Sequence, residues 1–289
     1  EENGSLCLKW GVQMKTKSIT MNLLKYIFLG LGSVAMILPF AWMLLTSFKT
    51  VSESTSINPF VVFPAVWQWK NYAEVLRQNN FLQLYLNTFA MMALRVLCAD
   101  LFSAMAAYAF ARLEFPGKRF LFGLVLFQMM VPTQIFIIPQ YLMIDALGAR
   151  NTIFALVFPG LVSAFGTFLL RQFFLGMPKE LEEAAKLDGC NIGQTFFLVM
   201  LPLARSGLIS LSIFTALFAF RDMMWPMIVN TDSNAATLAS VLAQIQSSYA
   251  VRYPELMAAA VLAIWPMMLV YMLFQKQFVQ GIATSGQKL

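Results

Sequence analysis

Six runs of about 20 apolar residues dominate this chain of 289 residues. They cover residues 26–47, 84–111, 120–139, 152–170, 208–229 and 257–278. A helix that crosses about 30 Å of hydrocarbon needs runs of this length, because its backbone polar groups must be satisfied within the span. The composition agrees, since 59% of the residues are hydrophobic and 12% are charged. The sequence therefore predicts an all-α integral membrane protein with six transmembrane helices.

The basic residues between the runs indicate how the chain crosses the membrane. Lysine and arginine accumulate in cytoplasmic loops, and an even number of spans puts both termini on one side. The side of the termini carries Lys9, Lys15, Lys17, Lys25, Arg112, Lys118, Arg119, Arg171, Lys179, Lys186, Arg205, Lys276 and Lys288. The opposite side carries only Lys49, Lys70, Arg77, Arg150 and Arg252. We therefore expect cytoplasmic termini, and we attribute the net charge of +6 to this bias and not to nucleic-acid binding.

The runs divide the chain into four parts. Residues 1–20 are a polar N-terminal tail, and residues 21–82 hold the first transmembrane helix and an external loop. Residues 83–278 form a core of five transmembrane helices, followed by a cytoplasmic C-terminal tail, 279–289. The core contains a long polar interruption on the cytoplasmic side, residues 171–205, which is called loop 171–205 below.

The residue types exclude several kinds of chemistry. The chain has no histidine and three cysteines, Cys7, Cys98 and Cys190, none of them at metal-site spacing. We therefore expect no metal site and no catalytic residues. The chain also has no Gly-x-x-x-x-Gly-Lys-Ser/Thr loop to hold a nucleotide phosphate.

Loop 171–205 has the pattern of two short helices around a turn. Pro178 and the acids that follow it suit the first turn of a helix. Asp188-Gly189 ends that helix, because glycine accepts a backbone turn that other residues resist. A second helical stretch over 192–200 stops near Leu201-Pro202. The apolar stripe of the first helix is predicted to contain Leu181, Ala184, Ala185 and Leu187.

The loop resembles the permease subunits of bacterial binding-protein-dependent ATP-binding-cassette (ABC) importers. Their signature is Glu-Ala-Ala, three residues, Gly, nine residues, then Ile-x-Leu-Pro. This chain has Glu183-Ala184-Ala185, Gly189 and Val199-x-Leu201-Pro202 at that spacing, with valine replacing isoleucine. Further similarity to the carbohydrate branch, and to the maltose-type second permease within it, lies in residues 106–112, 131–132, 173–178 and 281–286.

The resemblance implies a type I ABC importer permease fold in the bacterial inner membrane, with loop 171–205 as its cytoplasmic coupling-helix loop. It also implies a second permease, so that each forms half of the pathway, two ATPases that bind ATP and Mg²⁺, and an extracytoplasmic solute-binding protein. The chain itself would hold no cofactor and would work by alternating access. The docking residues implied are Glu183, Ala184, Ala185, Asp188, Gly189 and Pro202, and residues 280–287 of the tail are expected to approach the ATPases.

Charged residues within the spans are the candidates for the pathway, because such residues usually face the bundle interior or water. Arg95 and Asp100 lie in the second span but point about 140° apart on the helix, so they are not an intrahelical pair. Arg221 and Asp222 lie in the fifth span, where the family often has asparagine in place of this arginine. Two interpretations stay open: Arg221 binds an acidic saccharide such as a uronic-acid oligomer, or it pairs with Asp222, Asp100 or the partner permease.

Other functions are less consistent with the sequence. An ATP-independent channel or carrier would have no reason for the spaced signature. A membrane enzyme would need a polar constellation that the sequence does not contain. Within the family, permeases for glycerol phosphate, amino acids or peptides are the alternatives to a saccharide permease.

Overall fold

The structure is a computed structural model that describes residues 2–57, 60–248 and 252–286. Its regular elements in these ranges are helices: α1 (Glu2–Ser47), α2 (Val51–Thr55), α3 (Lys70–Gln78), α4 (Phe81–Arg112), α5 (Lys118–Met130), α6 (Ile137–Ala146), α7 (Ile153–Val157), α8 (Ala164–Leu175), α9 (Glu180–Leu187), α10 (Ile192–Gln194), α11 (Leu201–Leu203), α12 (Arg205–Arg221), α13 (Met224–Val229), α14 (Leu238–Ser248) and α15 (Tyr253–Gly286). Short 3₁₀-helices occupy Thr133–Phe136, Phe158–Gly160 and Ser233–Ala235, and a π-helix occupies Thr195–Met200.

Three of the six predicted spans are continuous helices: Lys25–Ser47 within α1, α4, and Tyr253–Met272 within α15. Three further candidates each consist of two helices joined at a sharp bend. These pairs are Lys118–Met130 with Thr133–Ala146, bent by 102°, Ile153–Gly160 with Ala164–Leu175, bent by 50°, and Ile192–Leu203 with Arg205–Arg221, bent by 76°. By length and composition the chain therefore has up to six spans, as predicted, and three of them are bent. The last pair begins within loop 171–205, and the single helix predicted over 208–229 is wrong, because the chain leaves the helix at Asp222, between α12 and α13.

Proline explains the sharpest of these bends. Val131 precedes Pro132 and adopts an extended conformation, with φ −85° and ψ 126°. The proline ring disfavours helical geometry in the preceding residue and removes one backbone donor. The helix predicted over 120–139 consequently ends at Met130, and a new helical segment begins at Thr133.

The chain divides into two compact units, of which the first comprises Glu1–Val75 and Tyr249–Val261. In it, α1 runs from Glu2 through the residues predicted as a loose polar tail. After α1, Phe48 packs against the rings of Trp67, Trp69 and Tyr72 with centroid distances of 4.9, 4.8 and 5.1 Å. The segment after the first span is therefore an ordered structure with its own aromatic core.

The second unit comprises Leu76–Ser248 and Leu262–Leu289 and contains both candidate sites. Helix α4 is its centre and packs against α8 and α12. One buried cluster surrounds Tyr108, Phe174, Phe196 and Met200, near the C-terminal end of α4. A second cluster surrounds Met91, Ile144, Leu156, Ala219 and Trp225, nearer the other end.

Helix α14 was not predicted from the sequence, because its 11 residues are too few for a span. The backbone N–H of Leu238 at its start donates to the hydroxyl of Thr88 in α4, at 3.0 Å. At the C-terminus, α15 extends to Gly286, and residues 287–289 of the predicted tail lie outside the described residues.

Candidate functional site

Helix α9 forms the first arm of loop 171–205, as predicted. Its first turn contains Glu180, Glu182 and Glu183, and its last turn contains Lys186. Acidic side chains near the N-terminus and a basic one near the C-terminus are favourable to the helix dipole. The sequence therefore specifies this short helix through local electrostatics. Pro178 was predicted in its first turn but lies just before the N-cap residue Lys179.

The turn at Gly189 closes the C-terminal end of α9. Gly189 has φ +83°, a backbone conformation that side-chain-bearing residues rarely adopt. The N–H of Cys190 donates to the carbonyl of Ala185 at 2.9 Å, and the N–H of Gly189 donates to that of Lys186 at 3.0 Å. These two bonds are those of a Schellman motif. The predicted glycine turn is confirmed.

The two sides of α9 differ in exposure. Ala185 is buried, whereas Glu183, Ala184, Leu187 and Asp188 are exposed, with Leu187 at 90%. We call the exposed residues Glu183, Ala184, Leu187 and Asp188 the free face of α9. The predicted single stripe is wrong, because Ala185 packs within this chain while Ala184 and Leu187 point away from it. Of the two alanines assigned to docking, only Ala184 is accessible.

The second arm runs from Ile192 to Leu203. Asn191 caps α10, since its Oδ1 accepts from the N–H of Gln194 at 2.9 Å and the side chain of Gln194 bonds back to the N–H of Asn191. The π-helix Thr195–Met200 follows, and the exposed Pro202 lies in α11 beyond it. The bend to α12 falls at Ala204, two residues after the predicted stop.

Two of the four charged residues within the predicted spans, Arg95 and Asp222, form a buried ion pair that the sequence did not identify. Arg95 Nη1 lies 2.8 Å from Asp222 Oδ2, and the two side chains are 8% and 22% exposed. Arg95 Nε also donates to the carbonyl oxygen of Leu156 at 2.8 Å. Gly160 lies against Arg95, and a Cβ atom at this glycine would come within 2.8 Å of the arginine stem. The guanidinium therefore joins α4, the broken fourth span and the end of α12.

A proline explains why polar side chains are needed at this break. Pro159 has no N–H, so the carbonyl of Ala155, four residues earlier, loses its usual helical donor. Trp225 Nε1 donates to that carbonyl at 2.8 Å. Both Ala155 and Trp225 are buried, and an unpaired carbonyl there would be costly. Trp225 and Arg95 thus satisfy the backbone of the broken span.

The ion pair lies near the middle of the membrane-spanning part. Arg95 is about 21 Å from Phe81 and about 26 Å from Arg112 along α4, at 1.5 Å per residue. Asp222 lies at the same depth because it contacts Arg95. The neighbouring Arg221 therefore also belongs to the mid-membrane region.

Arg221 and Asp100 have different surroundings from this pair. Arg221 is exposed, and its side chain makes no hydrogen bond or ion pair with another residue in the described part of the chain. Asp100 accepts a hydrogen bond from the hydroxyl of Ser212, while its other oxygen, Oδ1, is buried without a partner among the described residues. Asp222 pairs with Arg95, and Asp100 bonds to Ser212, so both pairings of Arg221 within this chain that the sequence suggested are absent. Arg95 and Asp100 contact different groups, as their helical spacing predicted.

Sequence reasoning missed the residues that hold loop 171–205 to α4. Arg112 Nη2 donates to the carbonyl of Met177 at 2.6 Å, and its Nε lies 3.7 Å from Glu182 Oε1. From the sequence, Arg112 indicates only the orientation of the chain in the membrane. Its position before a turn, together with the three acids of the nearby loop, could have suggested that it contacts one of them.

The structure thus has up to six candidate membrane spans, three of them bent, and one polar loop with an exposed helix face. The family model of the binding-protein-dependent transport system inner membrane component matches residues 101–284, more than half of the chain. The chain belongs to this family of ABC importer permeases, whose members are inner membrane components. The expected family and fold class are confirmed.

Named relatives resemble the chain over most of its length. The diacetylchitobiose uptake system permease protein NgcG of Streptomyces coelicolor is 34% identical over 260 residues, which are 89% of this chain and 85% of the relative. The arabinooligosaccharides transport system permease protein AraQ of Halalkalibacterium halodurans is 30% identical over 279 residues, 96% of this chain and 100% of the relative. A crystal structure of a bacterial ABC transporter involved in the import of the acidic polysaccharide alginate contains a chain with the same fold. Its TM-score is 0.73 at 22% identity, and the match covers 89% of this chain and 95% of that one.

Proposed function

We propose that this chain is one permease subunit of an ATP-driven saccharide importer and forms half of the translocation pathway with a second permease. The observation that carries the proposal is the free face of α9, which is exposed beside a Schellman turn at the spacing of the family signature. Glu183, Ala184 and Leu187 are exposed together on this face, so a partner protein can reach them. The partner proposed is a cytoplasmic ATPase, one of two in the complex.

Saccharide is the substrate class that the relatives favour. The two relatives described above are named for diacetylchitobiose and arabinooligosaccharides, and both align with nearly the whole chain. Family members for other solutes, such as glycerol phosphate, amino acids or peptides, remain the alternatives that a substrate screen would reveal.

The energy for transport comes from the partners in this proposal. The chain has no phosphate-binding loop of its own, so ATP and Mg²⁺ are assigned to the ATPases and no catalytic residue is assigned here. A solute-binding protein delivers the substrate on the opposite side. The excess of lysine and arginine on the side of the termini supports an orientation with both termini in the cytoplasm.

Alternating access would use the geometry of loop 171–205. When the ATPases close, they displace α9 through its free face, and the loop transmits this displacement to the spans that pack on it. The bends near Pro132, at residues 161–163 and at Ala204 let the spans change shape without breaking a continuous helix.

Arg221 supports a more specific substrate, an acidic saccharide. Asp222 is neutralised by Arg95, which leaves the charge of the exposed Arg221 uncompensated at mid-membrane depth. A charged group at this depth is costly unless it faces water or an opposite charge. We place it on the pathway, where its guanidinium can bind a carboxylate. Contact with the second permease is the competing role.

The experiment is ATPase stimulation and uptake by the assembled complex, with neutral and acidic oligosaccharides of equal length. We expect saccharide-dependent stimulation. For the acidic substrate, Arg221→Ala should reduce uptake about 10- to 100-fold, the equivalent of a lost hydrogen bond to a charged group of about 1.5–3 kcal/mol. Uptake of the neutral sugar should change little, and Arg221→Lys should retain part of the acidic uptake. Equal losses for both sugars would assign Arg221 to the subunit interface, and stimulation only by non-saccharide solutes would refute the saccharide proposal.

A further inference from the structure

The C-terminal end of α4 contacts both arms of loop 171–205 and the segment between α8 and α9. Phe174 of α8 and Phe196 of the π-helix pack on the ring of Tyr108, with centroid distances of 5.7 and 5.2 Å. One turn later, Arg112 reaches Met177, which lies between α8 and α9, and Glu182 of α9. Apolar contacts thus join α4 to the two flanks of the loop, whereas the contact shown between α4 and α9 is polar.

The Arg112–Glu182 contact is buried enough to be structurally important. The two side chains are 6% and 14% exposed, so water screens their attraction less than it screens a surface pair. Removing the arginine would leave Glu182 without its counter-charge, which is more costly than the pair itself is stabilising.

The same contact is not a tightly packed one. Arg112 Nε and Glu182 Oε1 are both buried without a hydrogen-bond partner among the described residues, although the ion-pair distance is 3.7 Å. A cavity of about 560 Å³ lies beside them, lined in part by Lys186, Cys190 and Asn191. The pair therefore has room to shorten or to change its geometry when α9 is displaced.

Glu182 is directed towards its own chain, whereas its neighbour Glu183 is exposed on the free face. We infer that Arg112 is a positioning residue that ties α9 and the Met177 segment before it to α4, so that a displacement of the free face moves α4 and not α9 alone. A partner that covers the free face leaves this tie in place. Helix α4 also carries Arg95, so the tie connects the loop to the buried ion pair through one continuous helix. This role rests on the proposed function.

The test uses the complete complex in proteoliposomes and measures the substrate imported per ATP hydrolysed. Arg112→Ala should leave copurification of the ATPases and their basal hydrolysis unchanged, while the substrate imported per ATP falls about tenfold, within the usual range of coupling between sites. Arg112→Lys, which keeps the charge, should restore part of this ratio. Glu182→Gln should lower the amount imported per ATP less than Arg112→Ala does. The variant that combines both changes should import as much per ATP as Arg112→Ala alone, because the two residues act as a unit.

Arg119→Ala is the matched control, since it removes an exposed arginine on the same side that makes no ion pair with the described residues. It should keep the wild-type ratio. The inference would be overturned if the Arg112→Ala complex imported as much substrate per ATP as the wild type. It would also be overturned if the variant lost transport only because it no longer bound the ATPases. If Arg112→Ala does not fold, an unchanged ratio in a folded Arg112→Lys variant is the overturning result. A wild-type complex that imports nothing with ATP would instead contradict the proposed function.

Discussion

Loop 171–205 and the buried cluster around Arg95 both contain acidic side chains, but they place them in different surroundings. In the loop, Glu183 and Asp188 are exposed on the free face of a short helix whose fold is closed by its own turn. In the cluster, Asp222 is paired with Arg95 at 2.8 Å, and the same arginine binds the carbonyl of Leu156.

The difference separates two uses of charge in one membrane protein. The buried pair of Arg95 and Asp222 holds broken helices together, so its loss should appear as instability. The exposed charges on the self-contained turn contribute little to the fold, so their loss should appear in transport.

The largest effect is expected for Arg95→Ala. This change leaves Asp222 and the Leu156 carbonyl without their partner, and breaking a buried pair typically costs about 3–5 kcal/mol. The free energy of unfolding of the purified subunit, measured in mixed detergent micelles, should fall by about this amount. A loss below about 1 kcal/mol, the value typical of exposed pairs, would remove the distinction between the two regions.

The control removes both charges together. Arg95→Met combined with Asp222→Leu replaces the pair by apolar side chains, which is often neutral in buried sites. The double variant should therefore be more stable than Arg95→Ala alone. It will still lack the donor to Leu156, so full recovery is not expected.

A smaller effect is expected for Trp225→Phe. Phenylalanine keeps one aromatic ring but is smaller than tryptophan and lacks the N–H that satisfies the Ala155 carbonyl. The unsatisfied buried group alone costs about 1–3 kcal/mol. Trp265→Phe is the matched control, because its indole N–H donates to the Tyr85 hydroxyl at 3.1 Å from a side chain that is 48% exposed. The same unfolding assay should rank Trp225→Phe as the more destabilising change. The reverse order would contradict the role given to Trp225.

The two regions also differ in how far their structure could be predicted from the sequence. The turn at Gly189 follows from neighbouring residues, so its position was predicted correctly. Arg95 and Asp222 are 127 positions apart, and only the packing of α4 against α12 brings them together. The sequence shows the prolines Pro132 and Pro159 near which α5 and α7 end. Hydropathy averaged over a long window nevertheless conceals an interruption within an apolar run. Burial of Ala185 depends on contacts of α9 with the π-helix, which no periodicity within α9 reveals.

A local effect is expected for Gly189→Asp. The Cβ of the new side chain would have open space, so the cost is the strain of φ +83°, about 1 kcal/mol, and not a clash. The subunit should insert and keep the stability of its buried cluster, while ATP-driven uptake falls at least about tenfold because the end of the free face is displaced and carries an added charge. Gly193→Asp adds the same charge in the same loop without a positive φ, and it should reduce uptake less. Equal losses would show that charge, and not the turn, is responsible.

Our central claim is that the ATPases bind and displace this protein through the free face of α9. Glu183→Lys tests it most directly. The measurement is ATP-driven saccharide uptake in proteoliposomes that contain the complete complex. Glu114→Lys serves as the control, since it reverses an acid that is 89% exposed and whose pair with Lys118 should be worth little. We expect Glu183→Lys to abolish uptake and its coupling to ATP hydrolysis in a normally folded subunit. The complex with Glu114→Lys should transport normally. Wild-type uptake by the Glu183→Lys complex would contradict the claim.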